Sequence, residues 1–361
     1  MKEKHLEYEE AFHKKRSKEE KKEKKILQST DRSKYKKTDI EKKKKEPPKD
    51  KNLKRGRVLA IMADGILVDT DEILYTCSLR GKLKKEKARI KNLVAVGDFV
   101  LFLPGKDQTG SIEYVEERTS ILSRAEQITR KKEQLIAVNI DQVLITSSVV
   151  IPPLKTPLID RYIIASLKGN MTPVLVINKI DLLETERQEK AHFDEVVTTY
   201  RSIDIPVYPV STKTGEGLEA LKEAMRGNSS VFSGQSGTGK TSLINATTGT
   251  SLLTGEVIAK TRKGAHTTTA THLLPIDGEG FCIDTPGIKS FGMWQLKEEE
   301  VQNYFSEIVK WASQCKYLNC SHIHEPDCSV RKALERGEIS PLRFDSYCAL
   351  IANLKQQHLP R

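Results

Sequence analysis

One stretch, SSVFSGQSGTGKTSLINAT at residues 229–247, restricts the fold more than any other. An apolar run, a glycine-rich loop and a helix-compatible run follow one another, and Lys240 and Thr241 complete G-x-x-x-x-G-K-[ST]. Such a loop needs a buried strand to deliver the chain and a helix to carry it away. Only then do its backbone N–H groups converge on phosphates at a helix N-terminus. An α/β sheet supplies this geometry at the carboxyl ends of its strands. The pattern assigns Gly234, Gln235, Ser236, Gly237, Thr238 and Gly239 to the phosphate loop, with Ser242 beside them in the first helical turn. Lys240 is placed to reach the β and γ phosphates, and Thr241 to give its hydroxyl to Mg2+.

A second pattern, NKID at residues 178–181, stands more than fifty residues before that loop. Asp181 offers a carboxylate that accepts from the ring N1–H and the exocyclic amino group of guanine, a donor pair that adenine lacks. The Lys179 stem covers the base plane, with Asn178 heading the motif. Ser211, Thr212 and Lys213, in STKTG, complete a base pocket from a separate loop. DTPG at residues 284–287 ends another apolar strand. There Asp284 is expected to hold Mg2+ through water, and the Gly287 N–H to sense the γ-phosphate. In phosphate-loop GTPases the loop normally comes before the guanine-reading motif; here the order is reversed.

The remaining chain divides around these motifs. Residues 1–50 hold 19 Lys or Arg against 12 Asp or Glu and little that packs, so 1–54 reads as a charged disordered tail. It accounts for much of the net charge of +11. Its acidic residues argue against an organelle transit peptide, and neither a secretory core nor a membrane-length apolar run is present. A cytoplasmic protein without membrane contact is expected. Residues 55–118 give short β-prone pieces between turn signals, with a basic insertion, RGKLKKEKARIKN at 80–92, in the manner of a small barrel. From residue 119 to 291 strands and helices alternate; LIAVNIDQVLITSSV reads as one buried strand. Residues 292–361 read as helices, among them LKEEEVQNYFSEIVKWA and RFDSYCALIANLKQQ.

Three of the six cysteines, Cys315, Cys320 and Cys328, fall within fourteen residues, which suggests a metal rather than disulfides. Three thiolates and an imidazole, from His322 or His324, suit a closed tetrahedral zinc site with a structural role. Cys77, Cys282 and Cys348 stand apart and read as packed side chains.

The order NKID, STKTG, GQSGTGKT, HTTT, DTPG and then the cysteine cluster resembles one family closely. That family is the circularly permuted, small-ribosomal-subunit-dependent GTPases of the RsgA (YjeQ) type, and the likeness runs from about Arg57 to near the C-terminus. It implies an N-terminal oligonucleotide-binding (OB) barrel, a permuted GTPase domain and a C-terminal helical zinc domain that uses His322. It also implies hydrolysis of GTP to GDP in late maturation of the small ribosomal subunit, stimulated by that particle; the barrel, the basic insertion at 80–92 and the C-terminal basic side chains are expected to bind its rRNA, and a monomer is expected, since nothing in the sequence demands a dimer. In the family the histidine of the segment corresponding to KGAHTTT is proposed to position the attacking water. That role carries over to His266, with Thr267 and Thr268 in the first switch. Ile288, after DTPG, cannot orient water, and Ala265 stands where the family commonly has Arg. The alternative reading is a GTP-holding rRNA-binding assembly module with little turnover; a permuted GTPase acting on another RNA or the large subunit is a third.

Overall fold

The computed structural model describes residues 52–81, 93–125, 133–248, 272–276, 280–284 and 296–358. The charged tail as far as residue 51, most of the basic insertion at 80–92, His266, Thr267, Thr268 and Gly287 lie outside the described residues.

Five strands form the first unit: β1 (Lys54–Ile61), β2 (Ile66–Asp69), β3 (Leu74–Leu79), β4 (Phe99–Pro104) and β5 (Thr109–Val115). They close into a barrel in the order β1-β2-β3-β5-β4, with β4 returning to β1. Only β3 and β5 run parallel within it. Alternation decides the inside: Val58, Val68, Cys77, Val100, Phe102 and Ile112 are buried in the barrel core. This is an OB-like closed barrel. Burial pushes the Cys77 thiol up to about 12, as expected of a packed cysteine.

The apolar run read as one strand at residues 135–149 is two strands. β6 (Ile121–Ala125) pairs with β7 (Glu133–Val138), and β8 (Gln142–Ser148) belongs to a different sheet. The break falls at Asn139, whose φ is +55°. Its amide oxygen accepts from Thr119 N (2.8 Å) and its amide nitrogen donates to Gly97 O (3.0 Å). A buried asparagine thus turns the chain where the apolar run carries three polar residues, Asn139, Asp141 and Gln142.

From β8 the chain runs through α1 (Thr156–Lys168), β9 (Thr172–Asn178), α2 (Glu189–Arg201), β10 (Val207–Pro209), α3 (Leu218–Met225), β11 (Ser229–Gly234) and α4 (Lys240–Thr247). β12 (His272–Ile276) and β13 (Gly280–Asp284) follow. The order β10-β9-β8-β11-β13 is parallel throughout, and β12 runs antiparallel to β13. Both faces of this sheet are buried, which is why its strands read as continuous apolar runs. Val143, Ile145, Leu175 and Ile177 meet α1 and α2 on one face; Leu144, Val174, Val176 and Phe232 meet α3 and α4 on the other.

The C-terminal region is helical: α5 (Glu298–Val301), α6 (Ser306–Ala312), α7 (Ser329–Glu335) and α8 (Pro341–His358). The helix anticipated across residues 296–312 is broken instead. A 3-10 turn at Gln302–Tyr304 leads to Phe305, which is extended (φ −115°, ψ 91°) and fully buried. Burying that ring in the core around Tyr347 outweighs helical continuity. Among the described residues no helix is long and apolar enough to cross a membrane.

A buried ionic cluster joins this region to the sheet's helices. Arg343 of α8 donates to Asp160 of α1 and, through Nε at 2.6 Å, to Glu307 of α6. Tyr200 of α2 donates to the same Asp160 carboxylate at 2.7 Å. The Arg343 and Asp160 side chains are 2% and 0% exposed. Burial pushes the Asp160 carboxyl upward, and the Arg343 charge pulls it back. Removing one member of such a cluster strands the others without water. Arg343→Ala is expected to lower the unfolding free energy by about 3–5 kcal/mol in urea denaturation. Asp160→Asn, which leaves Arg343 paired with Glu307, should cost less.

Candidate nucleotide site and metal centre

Because β9, β10, β11 and β13 are parallel, the loops that follow them emerge at one edge of the sheet. Register fixes their level: Ser148 faces Asn178, and Thr146 faces Gly234. Gly234 lies so close to its neighbouring strand that a Cβ would sit 2.1 Å from the Thr146 carbonyl oxygen. The phosphate loop therefore starts against β8, where no side chain fits.

The three nucleotide loops meet at the fully buried carboxamide of Asn178. Its Nδ2 donates to Thr238 O of the phosphate loop at 2.9 Å. Its Oδ1 accepts from its neighbour Lys179 N at 2.8 Å and from Thr212 N, in the STKTG loop, at 3.3 Å. Lys179 adopts a left-handed conformation, φ +67°, that non-glycine residues seldom take. Its Nζ reaches Gly237 O at 2.6 Å and Ile151 O at 2.5 Å, so its stem lies along the phosphate loop. Gly239, at φ +92°, leaves room for Asn178: a Cβ there would stand 2.4 Å from Nδ2.

Asp181 is held by the second base loop. Ser211 Oγ donates to Asp181 Oδ1 at 2.7 Å and accepts from Lys213 N and Thr214 N, each at 3.2 Å. Lys213 Nζ stands 4.0 Å from Asp181 Oδ2. The carboxylate is thereby oriented with acceptor capacity remaining for a base edge.

Lys240 opens α4, and its ammonium donates to Gly234 O (2.8 Å) and Gln235 O (2.6 Å). Burial lowers its pKa from the ordinary lysine value. A desolvated ammonium surrounded by backbone dipoles is suited to a phosphate's charge. Thr238 Oγ1 closes the loop on Gln235 O at 3.0 Å. Ser236, Gly237, Thr241 and Ser242 are exposed around it. Asp284 ends β13, one strand away from the phosphate loop.

In the C-terminal region the ligating atoms of Cys315, Cys320, His322 and Cys328 lie within 4.8 Å of one another. Cys315 Sγ stands 3.8 Å from Cys328 Sγ, and His322 Nδ1 stands 3.5 and 3.4 Å from those two sulfurs. Zinc–sulfur bonds of about 2.3 Å at tetrahedral angles put sulfurs about 3.8 Å apart, so these residues fit a structural zinc ion. His322, rather than His324, belongs to the set. Burial lowers its pKa, which favours the neutral ligand form. Its Nε2 lies 3.0 Å from Gln302 Oε1, an outer-shell partner that fixes the ring. Gln302 stands twenty positions upstream, and no sequence spacing announces it. Glu325 clamps the ligand loop by accepting from Ser321 N (2.8 Å), Ser321 Oγ (3.0 Å) and His324 N (3.2 Å).

A phosphate loop, a guanine-type acidic loop and a serine loop, all at one sheet edge but threaded in reversed order, define a circularly permuted P-loop GTPase. The family model for the RsgA GTPase matches residues 115–294. The chain belongs to the RsgA GTPase family. The small ribosomal subunit biogenesis GTPase RsgA of Bacteroides fragilis is 37% identical over 305 residues, covering 84% of this chain and 97% of that protein. The protein of the same name from Chlorobaculum parvum is 40% identical over 274 residues, covering 73% and 86% of the two chains. The crystal structure of YjeQ from Thermotoga maritima superposes with a TM-score of 0.69 at 31% identity, over 84% of this chain and 98% of that one. That of YloQ, described as a circularly permuted GTPase, gives 0.67 at 28%, over 86% and 98%.

Two outcomes follow from this geometry. Gly239→Ala drives a methyl group into Asn178 from a left-handed backbone; with about 1–3 kcal/mol of strain, titration should show GTP affinity weakened by about tenfold to a hundredfold. The purified protein should carry one equivalent of zinc by metal analysis. Chelation or Cys315→Ser should lower the melting temperature of the C-terminal region, and restored zinc should reverse the effect of the chelator.

Proposed function

We propose that this chain hydrolyses GTP to GDP and phosphate in late maturation of the small ribosomal subunit, and that the particle stimulates the reaction. One observation carries the reading: the phosphate, base and serine loops are joined through Asn178 in a chain that covers 97% of a small ribosomal subunit biogenesis GTPase. Guanine is read by Asp181 from its Ser211 and Lys213 mounting, with Asn178 and Lys179 shaping the pocket. Gly234 to Ser242 cradle the phosphates, with Lys240 as their countercharge. Thr241 and Asp284 hold Mg2+, which supplies charge neutralisation at the phosphates. Gly287 N–H senses the γ-phosphate, and Thr267 and Thr268 close over it.

His266 orients the attacking water, since Ile288 offers no hydrogen bond. If the small subunit sets this histidine in place, intrinsic turnover is slow and stimulated turnover fast. The domains are taken as 55–118, 119–291 and 292–361 after the charged tail, a division supported by separate hydrophobic clusters in the barrel and around the zinc ligands. The barrel and the C-terminal basic side chains meet rRNA mainly through phosphates, so binding weakens with salt. The protein acts as a cytoplasmic monomer.

The test is GTP turnover by the purified protein, by itself and with isolated small subunits, with large subunits as control. A rise with small subunits only is expected, and His266→Ala should reduce stimulated turnover by about a hundredfold while sparing GTP affinity. A flat response despite tight GTP binding would replace this reading with that of a GTP-holding assembly module.

A further inference from the structure

The barrel shares a strand border with the nucleotide-binding sheet. Ala60 of β1 pairs with His272 of β12, and His272 pairs in turn with Asp284 of β13. One row of backbone therefore runs from the barrel to the residue that heads DTPG.

A side chain reinforces that row. The guanidinium carbon of Arg57, on β1, lies 5.1 Å from the ring centroid of Phe99 in the barrel and 4.7 Å from that of Phe281 in β13. Its Nη2 donates to Asn139 O at 2.7 Å, at the turn leading into the core. Its Nε is buried without a hydrogen-bond partner, so the two aromatic rings and the Asn139 carbonyl together hold the group. Burial lowers Arg57 to about 10, and it remains charged at neutral pH. Phe281 stands three residues before Asp284 on the same strand, about 10 Å along it. Arg55, two residues before Arg57, offers a contrast: it stacks on the same Phe99 ring at 4.1 Å, but its carboxylate partner is Glu116, at the end of the barrel.

We propose that Arg57 is a positioning residue for GTP hydrolysis: from the barrel it holds β13, through Phe281, and so sets the backbone position from which Asp284 leaves the sheet. This rests on the role given to Asp284 above.

The experiment measures GTP turnover and, by calorimetry, GDP affinity of the full-length protein against magnesium concentration, for the parent, Arg57→Met, Arg57→Lys, Phe281→Leu and Arg55→Met, each checked for folding by thermal melting. Arg57→Met and Phe281→Leu should raise the half-saturating magnesium by about threefold to tenfold. Arg57→Lys, which keeps a cation between the rings, should fall between these and the parent, and Arg55→Met should match the parent. Equal magnesium midpoints for folded Arg57→Met, Phe281→Leu and parent would overturn the proposal. So would an equal shift in Arg55→Met, which would confine the effect to barrel packing. Asp284→Asn is the check on the underlying reading: an unchanged midpoint there removes the magnesium role of Asp284. A parent that ignores small subunits removes the ribosomal reading but leaves the Arg57 comparison decisive.

Discussion

The carboxamide of Asn178 is the contact on which the nucleotide site depends. Excluded from water, it has a donor and an acceptor that must be matched internally, and each unmatched one would cost about 1–3 kcal/mol. It meets that demand with a carbonyl of the phosphate loop and the N–H groups of two base-reading segments. Its neighbour Lys179 accepts a left-handed backbone to lie along the same loop, and Gly239 gives up a side chain to admit it. Three loops from three strands thus hold one arrangement through a single side chain.

That contact also explains why the order of motifs along the chain is immaterial. The strands are neighbours in the sheet, and the hydrogen bonds that assemble the site cross between them regardless of which was made first. Permutation changes what is attached at the ends instead. The barrel enters through the turn at Asn139, and the metal-binding helices leave after β13. Each attachment is then fixed by its own buried group: Arg57 on the barrel side, Arg343 on the other.

Much of this was legible in the sequence where chemistry is local. The phosphate loop, NKID and the cysteine cluster each lie within a short window, and their residue types at those spacings have few other uses. The five barrel strands showed through turn signals and alternation. The turn at Asn139 was missed because the apolar stretches on either side outweighed the three polar residues, Asn139, Asp141 and Gln142, that mark it. The break at Phe305 was hidden for another reason: helical spacing persists in the letters although burial of one ring decides the backbone. Asp160 and Arg343 are 183 positions apart, and no period links them. Likewise nothing local in β1 announces a partner in β12. Such pairings belong to the sheet order, which the letters do not print. His266 and the segment after Asp284 were singled out by sequence and fall outside the described residues.

The Arg343 cluster grips α1 and α2, the helices that precede the two base-reading strands. The metal-binding region is therefore tied to the helices that lead into β9 and β10, while the barrel is joined to β12, at the opposite border of the same sheet. The phosphate loop begins on β11, between those two attachments.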